Sequence, residues 1–371
     1  MDKPEERWMS RAAVLTREGR VLEATRAIQE GLGMLRAKPA DPPIPPRAAP
    51  RAKWLSGIGS LVRTRALPIE DAIVVEPASA VEPASPVVIH SAFEAATHHH
   101  GGLTRRFKLF VPSRPAASPM LVVMLHGCTQ DPDDFALGTG MNERAERDGF
   151  LVLYPQQSRG DNPSACWNWF NRKDQRRDAG EAGFLADLVR TVVQRHGIDP
   201  GRVHVAGLSA GGAMAEILAA EYPDLFAAAA VHSGLPAGAA GNVPDALNAM
   251  RGGRPKPAVT AVVQAARVVP TIVLHGDADT TVHPANGDAV VRAVLGRSTR
   301  PATPQAATVG ATPRYTRTRH VLDDGTALVE HWVLHGAGHA WAGGRAQGSF
   351  TDPRGVDATD HVLRFFDEHR R

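Results

Sequence analysis

The stretch "RVHVAGLSAGGAMAEILAA" (residues 202–220) sets Ser209 between Gly207 and Gly211, where a strand-like apolar run gives way to an alanine-rich, helix-like one. A serine forced onto a tight strand-to-helix turn has its Oγ lifted clear of the sheet, and small flanking residues let strand and helix approach closely. A helix that starts just after the serine aims its first N–H groups at negative charge developing there. The Gly-x-Ser-x-Gly pattern alone is a weak signal, because both residues are common. "VHVA" before it and "GAMAEILAA" after it supply the required context, and they make Ser209 the candidate nucleophile.

At neutral pH a serine nucleophile needs a base, and the base needs an orienting acid. Downstream, "TIVLHGDADTTVHP" ends an apolar run with two aspartates. Asp279 occupies the loop position from which a carboxylate would be presented, whereas Asp277 sits closer to the run and is expected to hold the loop. Farther on, "VLHGAGHAW" places His339 in a glycine-rich loop ahead of the last helical segment. His335 is the alternative base, and His331 reads as ordinary structure. The order Ser209, Asp279, His339 matches the serine, aspartate, histidine order of α/β-hydrolases. The oxyanion donors expected in such a site are the backbone N–H groups of Ala210, after the nucleophile, and of Cys128, in "HGCTQ" after another apolar run.

Those runs set the fold class. "MLVVMLHG" and "FLVLYPQ" are short and continuously apolar, as in strands buried on both faces, and "VHVAGLS", "FAAAAVHSG", "TIVLHGD" and "ALVEHWVLHGAGH" each end in Gly, Ser, His or Asp. "RRFKLFVP" alternates with period two, as an early antiparallel strand would. "GFLADLVRTVVQRHG" and "DATDHVLRFFDEHRR" read as amphipathic helices. The expected architecture is α/β, an α/β-hydrolase fold with a mostly parallel central sheet over residues 87–371. Ligands of such sheets bind beyond the C-terminal ends of the strands, where these polar residues cluster. Ahead of it, residues 1–36 read as a helical segment with two short amphipathic helices. Residues 37–86 read as a Pro/Ala-rich linker, with "KPADPPIPPRAAPRAK" and two copies of "VEPAS". Within that linker "RAKWLSGIGSLVRTR" (residues 51–65) spaces Trp54, Leu55, Ile58, Leu61 and Val62 helically between basic residues. It is either a surface-adsorbing helix or one packed on its own domain.

The 371 residues carry a net charge of +3, with 43% apolar and 22% charged residues, and no dense basic block interleaved with aromatics. Nucleic acid is therefore not an expected partner, and no run reaches the roughly 20 apolar residues of a membrane span. "MDKPEERWMS" is charged and lacks the apolar stretch of a secretory signal, so the expected location is the cytoplasm. The two cysteines, Cys128 and Cys166, read equally as buried thiols or as a disulfide. No Cys/His spacing suggests zinc, the "HHH" of His98–His100 reads as a short loop tract, and no metal is expected.

Five stretches taken together, "LHGCTQDPDDFALGTGMNERAERDGFLVLYPQQ", "CWNWF", "GLSAGGAMAEILAAEYPDLFAAAAVHSG", "LHGDADTTV" and "GAGHAW", resemble the poly(3-hydroxybutyrate) depolymerase family of α/β-hydrolases. Feruloyl and acetylxylan esterases are among its relatives. The resemblance covers about residues 101–371. It implies a cofactor-free serine esterase that cleaves polyester or small ester bonds through an acyl-enzyme. Ser209, Asp279 and His339 would then form the triad, with Cys128 in the oxyanion loop. It also makes Cys128–Cys166 a candidate disulfide. Without a secretion signal or separate polymer-binding domains, the chain is more similar to intracellular members that act on storage granules, and residues 51–65 would be the contact with a granule surface. "RRDAGEAGF" departs from the family pattern in a way that bears on pocket shape. Trp167 and Trp169, two apart in "CWNWF", and Trp341, two after His339, either wall the substrate groove or pack as a lid. Three other readings stand beside the polyester one: a feruloyl- or acetylxylan-type carboxylesterase, a serine peptidase on the same scaffold, and a granule-surface protein whose hydrolase domain is secondary.

Overall fold

The alternation of side chains along a strand sorts the apolar runs onto two faces of one sheet. In the computed structural model, which describes residues 90–253, 267–311 and 314–371, the elements run in the following order. First come β1 (Ala92–His100), β2 (Leu103–Val111), β3 (Leu121–Leu125), α1 (Pro132–Thr139), α2 (Met141–Asp148) and β4 (Leu151–Pro155). Then follow α3 (Gly180–His196), β5 (Val203–Leu208), α4 (Ala210–Glu221), β6 (Ala228–His232), α5 (Val243–Met250), β7 (Thr271–Gly276) and α6 (Ala285–Arg297). Last are β8 (Thr303–Pro304), β9 (Thr308–Ala311), β10 (Arg314–Val321), β11 (Ala327–Leu334), β12 (Trp341–Ala342), β13 (Thr351–Asp352) and α7 (Ala358–Asp367).

The main sheet has the order β1-β2-β4-β3-β5-β6-β7-β11-β10-β8, with β9 paired to β10. From β4 to β11 the neighbours are parallel, and the flanking pairs β1–β2, β2–β4 and β10–β11 are antiparallel. This is the expected mostly parallel α/β sheet. Leu121, Val123, Leu125, Val203 and Val205 face one apolar layer, which Leu185, Val189 and Val192 of α3 and Ala213, Met214 and Ile217 of α4 complete. Val122, Met124, Ala206 and Leu208 face the other, closed by Phe135 of α1, Met141 of α2 and Val362, Phe365 and Phe366 of α7. Both faces are covered, so the strands are apolar throughout.

From β3 the chain crosses to β4 on one side, and β5 lies on the other. The loops leaving β3 and β5 therefore diverge at the switch point of the sheet, the crevice where α/β proteins hold ligands. The loop after β3 is joined covalently to the segment after β4: Cys128 and Cys166 form a disulfide with Cα atoms 4.2 Å apart.

His98–His100 lie at the end of β1, paired with Arg105, Thr104 and Leu103, and not in a loop. The strand is at the sheet edge and mostly exposed, so its face is polar and carries no apolar alternation. The expected helices of residues 8–35, the linker of 37–86 and the amphipathic stretch 51–65 lie outside the described residues. Among the described residues no helix is long and apolar enough to cross a membrane.

The disulfide spans 38 residues of sequence, and closing a loop of that size in the unfolded chain is worth about 4 kcal/mol on the chain-entropy scale. Urea unfolding with and without dithiothreitol should therefore differ by about 2–4 kcal/mol. Superimposable curves from protein that contains no free thiol would contradict that contribution.

Candidate active site

Ser209 joins β5 to α4 with φ 58° and ψ −120°, a backbone conformation that a serine adopts only when its surroundings impose it. Its neighbours explain the imposition. A Cβ on Gly207 would run into the backbone of Gly211, and one on Gly211 into the carbonyl oxygen of Leu125 at the end of β3. Strand, turn and helix are thus in backbone contact, which Gly207 and Gly211 permit by having no side chain. Ser209 N–H is held by the carbonyl of His232 at 2.9 Å. Ala210 is the first residue of α4, so its N–H has no intrahelical partner.

The loop after β3 comes within van der Waals reach: a Cβ on Gly127 would lie 3.7 Å from Cβ of Ser209. The backbone of this loop is pinned almost atom by atom. Gly127 N–H donates to Oε1 of Gln130 at 2.9 Å, Thr129 N–H to Ser164 O at 2.7 Å and Gln130 N–H to Gly127 O at 3.4 Å. Between them the Cys128 N–H has no partner among the described residues. An unpaired N–H in a loop otherwise saturated is what an oxyanion donor looks like before substrate arrives.

The carboxylate and the imidazole meet. Nδ1 of His339 lies 2.7 Å from Oδ2 of Asp279. Oδ1 of Asp279 accepts the N–H groups of Thr281 and Val282, both at 2.9 Å, and His275 Nε2 stands 3.5 Å from Oδ2. Burial pushes the Asp279 carboxyl up, but hydrogen bonds with His275 and His339, attraction to His339 and the Val282 N–H outweigh it. The group stays well below the usual carboxylate range. An ionised carboxylate only accepts, so His339 carries its proton on Nδ1 and presents Nε2 as the basic nitrogen.

Asp277 and His335 form a second pair. Asp277 Oδ2 lies 2.8 Å from His335 Nδ1, its Oδ1 accepts Gly336 N–H at 2.7 Å, and His335 Nε2 is 2.8 Å from Thr316 Oγ1. Parallel pairing of Leu334 with Gly276 brings the two loops side by side, so the nearer aspartate meets the nearer histidine and Asp279 meets His339. Asp277 thus holds the loop. His331 lies within β11.

Sequence reasoning missed His232, whose surroundings explain its place. Its carbonyl holds Ser209 N–H, and its Nε2 accepts Ala342 N–H at 3.1 Å, tying the serine turn to the chain just beyond His339. Burial, with repulsion from His275 and His339, pushes its imidazole down to about 3. The ring is therefore neutral and free to accept at Nε2. It ends an apolar strand run, and nothing in its spacing announces a partner 110 residues away. Gln130, which braces the loop after β3, was equally silent in the sequence.

The three tryptophans pack. Trp167, Trp169 and Trp341 are 0%, 5% and 1% exposed, so as placed they do not wall an open groove. Trp167 donates its indole N–H to His126 O at 3.1 Å. Trp341 donates to Thr359 Oγ1 at 3.0 Å and stacks on His232. A buried indole needs a partner for its N–H, and here the partners lie in the protein. Among the described residues no group of three or more His, Cys, Asp or Glu side chains is placed to hold a metal ion.

The family model described as Esterase PHB depolymerase matches residues 106–311. A poly(3-hydroxyalkanoate) depolymerase C of Paucimonas lemoignei is 37% identical over 250 residues, 62% of this chain and 56% of that protein. A probable acetylxylan esterase A of Aspergillus fumigatus is 34% identical over 131 residues, 35% of this chain and 34% of that one. The chain thus spans little more than half the length of the first and about a third of the second. An acetyl xylan esterase structure from Aspergillus awamori superposes with a TM-score of 0.56 at 22% identity, covering 71% of this chain and 94% of that one, a likeness of fold.

The lowered pKa of Asp279 gives a signed prediction. A carboxyl whose folded pKa lies below its unfolded value of about 3.9 contributes stability above that value, and loses it as pH falls toward the folded pKa. Asp279→Asn should therefore flatten the fall in melting temperature between about pH 4 and pH 2 relative to the unsubstituted protein. Parallel curves would show that the carboxylate is not held as described.

Proposed function

The chain belongs to the Esterase PHB depolymerase family, and from that premise we propose that it is a serine esterase acting on 3-hydroxyalkanoate polyester or its oligomers. The observation that carries the reading is the Asp279–His339 pair, 2.7 Å apart, linked to the strained Ser209 turn through His232, whose ring lies within electrostatic reach of both and whose carbonyl holds Ser209 N–H. His339 Nε2 takes the Ser209 proton as Oγ attacks the ester carbonyl. The N–H groups of Cys128 and Ala210 receive the charge that develops on the carbonyl oxygen. The imidazolium, stabilised by Asp279, then protonates the leaving alkoxide. Water repeats the sequence on the acyl-enzyme and releases the acid.

The substrate class is supported by the depolymerase relative, to which 62% of this chain aligns. A second reading, removal of acetyl groups from xylan, is favoured by the name of the Aspergillus fumigatus relative, which aligns over a shorter stretch. Contact with a polyester granule through residues 51–65 is the finer part of the proposal. It rests on the basic flanks and helical spacing of Trp54, Leu55, Ile58, Leu61 and Val62.

One assay separates these. Purified protein is incubated in parallel with amorphous polyhydroxybutyrate granules, acetylated xylan and feruloyl esters. Products are identified by mass, and granule-bound protein is recovered by sedimentation. The account expects 3-hydroxybutyrate and its oligomers as the main products, and expects Ser209→Ala to fold normally while losing about 10⁴-fold or more in ester turnover. Acetate release from xylan alone would move the substrate to the second reading, and an active Ser209→Ala protein would overturn the mechanism.

A further inference from the structure

The stretch "RRDAGEAGF", set apart in the sequence as a departure from the family pattern, contains one of the most enclosed carboxylates of the molecule. Glu181, in the first turn of α3, is 1% exposed and paired with Arg105, itself 3% exposed, at 2.9 Å. The guanidinium lies over the rings of Trp167 and Phe184 and also reaches Asp161 at 3.3 Å. A buried ion pair is an expensive way to gain stability, and its worth lies in what it orders.

What it orders is the segment that grips the oxyanion loop. Oε1 of Glu181 accepts from Gln157 Nε2 at 2.6 Å and from Asn168 Nδ2 at 2.7 Å, and Oε2 accepts Asn168 N–H at 2.7 Å. Three routes lead on from these partners. Gln157 N–H donates to His126 Nε2 at 3.2 Å. Gln157 Nε2 also donates to the carbonyl of Cys166, whose sulfur is bonded to Cys128. Trp167, between Cys166 and Asn168, donates its indole N–H to His126 O. With Nε2 occupied as an acceptor, His126 carries its proton on Nδ1 and donates it to the carbonyl of Gly127 at 2.7 Å. That carbonyl and the Cys128 N–H belong to one trans, planar peptide, in which they point in opposite directions. Holding the one aims the other.

We infer that Glu181, with Arg105, is a positioning residue for the oxyanion donor: through Gln157, Asn168 and Trp167 it fixes the Gly127–Cys128 peptide whose N–H meets the developing charge. The inference rests on the esterase reading of Ser209 and adds to it a site more than one side chain away from substrate. A residue that serves only the fold would change stability and leave the kinetic constants of the surviving folded protein alone. A misaimed donor fails selectively in the transition state, lowering kcat with little change in KM.

The test compares Glu181→Gln and Trp167→Phe with the unsubstituted protein on a soluble short-chain p-nitrophenyl ester, together with inhibition by an alkyl boronic acid that becomes tetrahedral on serine. Glu181→Gln should lower kcat by about 10- to 100-fold with KM within about twofold, and should weaken boronic acid binding by a similar factor. Trp167→Phe, which keeps an aromatic ring but deletes the indole N–H donor, should show the same split at about a tenth of the size. It decides alone if Glu181→Gln does not fold. Folded variants with unchanged kcat, or a Trp167→Phe whose effect falls on KM as a groove wall would require, overturn the inference and leave the esterase reading standing. Unsubstituted protein with no Ser209-dependent turnover overturns the esterase reading itself.

Discussion

Backbone contact at the β5–α4 corner is the constraint on which the rest of the site depends. Gly207, Gly211 and the carbonyl of Leu125 lie so close that no Cβ fits between them, and Ser209 is held at φ 58° as a result. Two apolar layers, one on each side of the sheet, press the strand and the helix into that contact. The strain is local and the restoring packing is extensive, the usual balance where a fold fixes a reactive side chain in an uncommon conformation.

Around that corner hydrogen bonds hold most of the polar backbone and side-chain groups. The carbonyl of His232 takes the serine N–H, and its ring takes the N–H of Ala342. Asp277 and His335 tie together the same two loops that bring Asp279 to His339. In the loop after β3 only one N–H among residues 127–130 is left over, and it belongs to Cys128. Preorganised donors of this kind cost no reorganisation at the moment of reaction, which is why they are worth more than equivalent groups in water.

Much of this was legible in the sequence, and the reasons differ by residue. Ser209 was readable because its requirement is local: a strand, a tight turn and a helix occur within a few residues. Asp277 and Asp279, and His335 and His339, were readable only as positions in loops. Their actual pairing is set by the parallel register of β7 and β11, which spacing does not encode. The tryptophans show the limit. Two indoles on alternate residues describe a direction, and only the chain around them determines whether it meets solvent or, as for Trp167, a carbonyl of the oxyanion loop. The histidines of β1 looked like a loop because an exposed edge strand has no apolar face to alternate. Glu181 itself was not readable for the same reason as His232, since the partners of its carboxylate, Arg105, Gln157 and Asn168, lie 76, 24 and 13 residues away in the chain.

The central claim is that Ser209 is a hydroxyl made nucleophilic by His339. A fluorophosphonate probe reads this directly, because it bonds covalently only to an activated serine and expels fluoride in doing so. Intact mass followed by peptide mapping should find one phosphonyl group, on Ser209, and almost none when His339 is replaced by alanine. A protein left unlabelled, or labelled equally without the imidazole, would contradict the account.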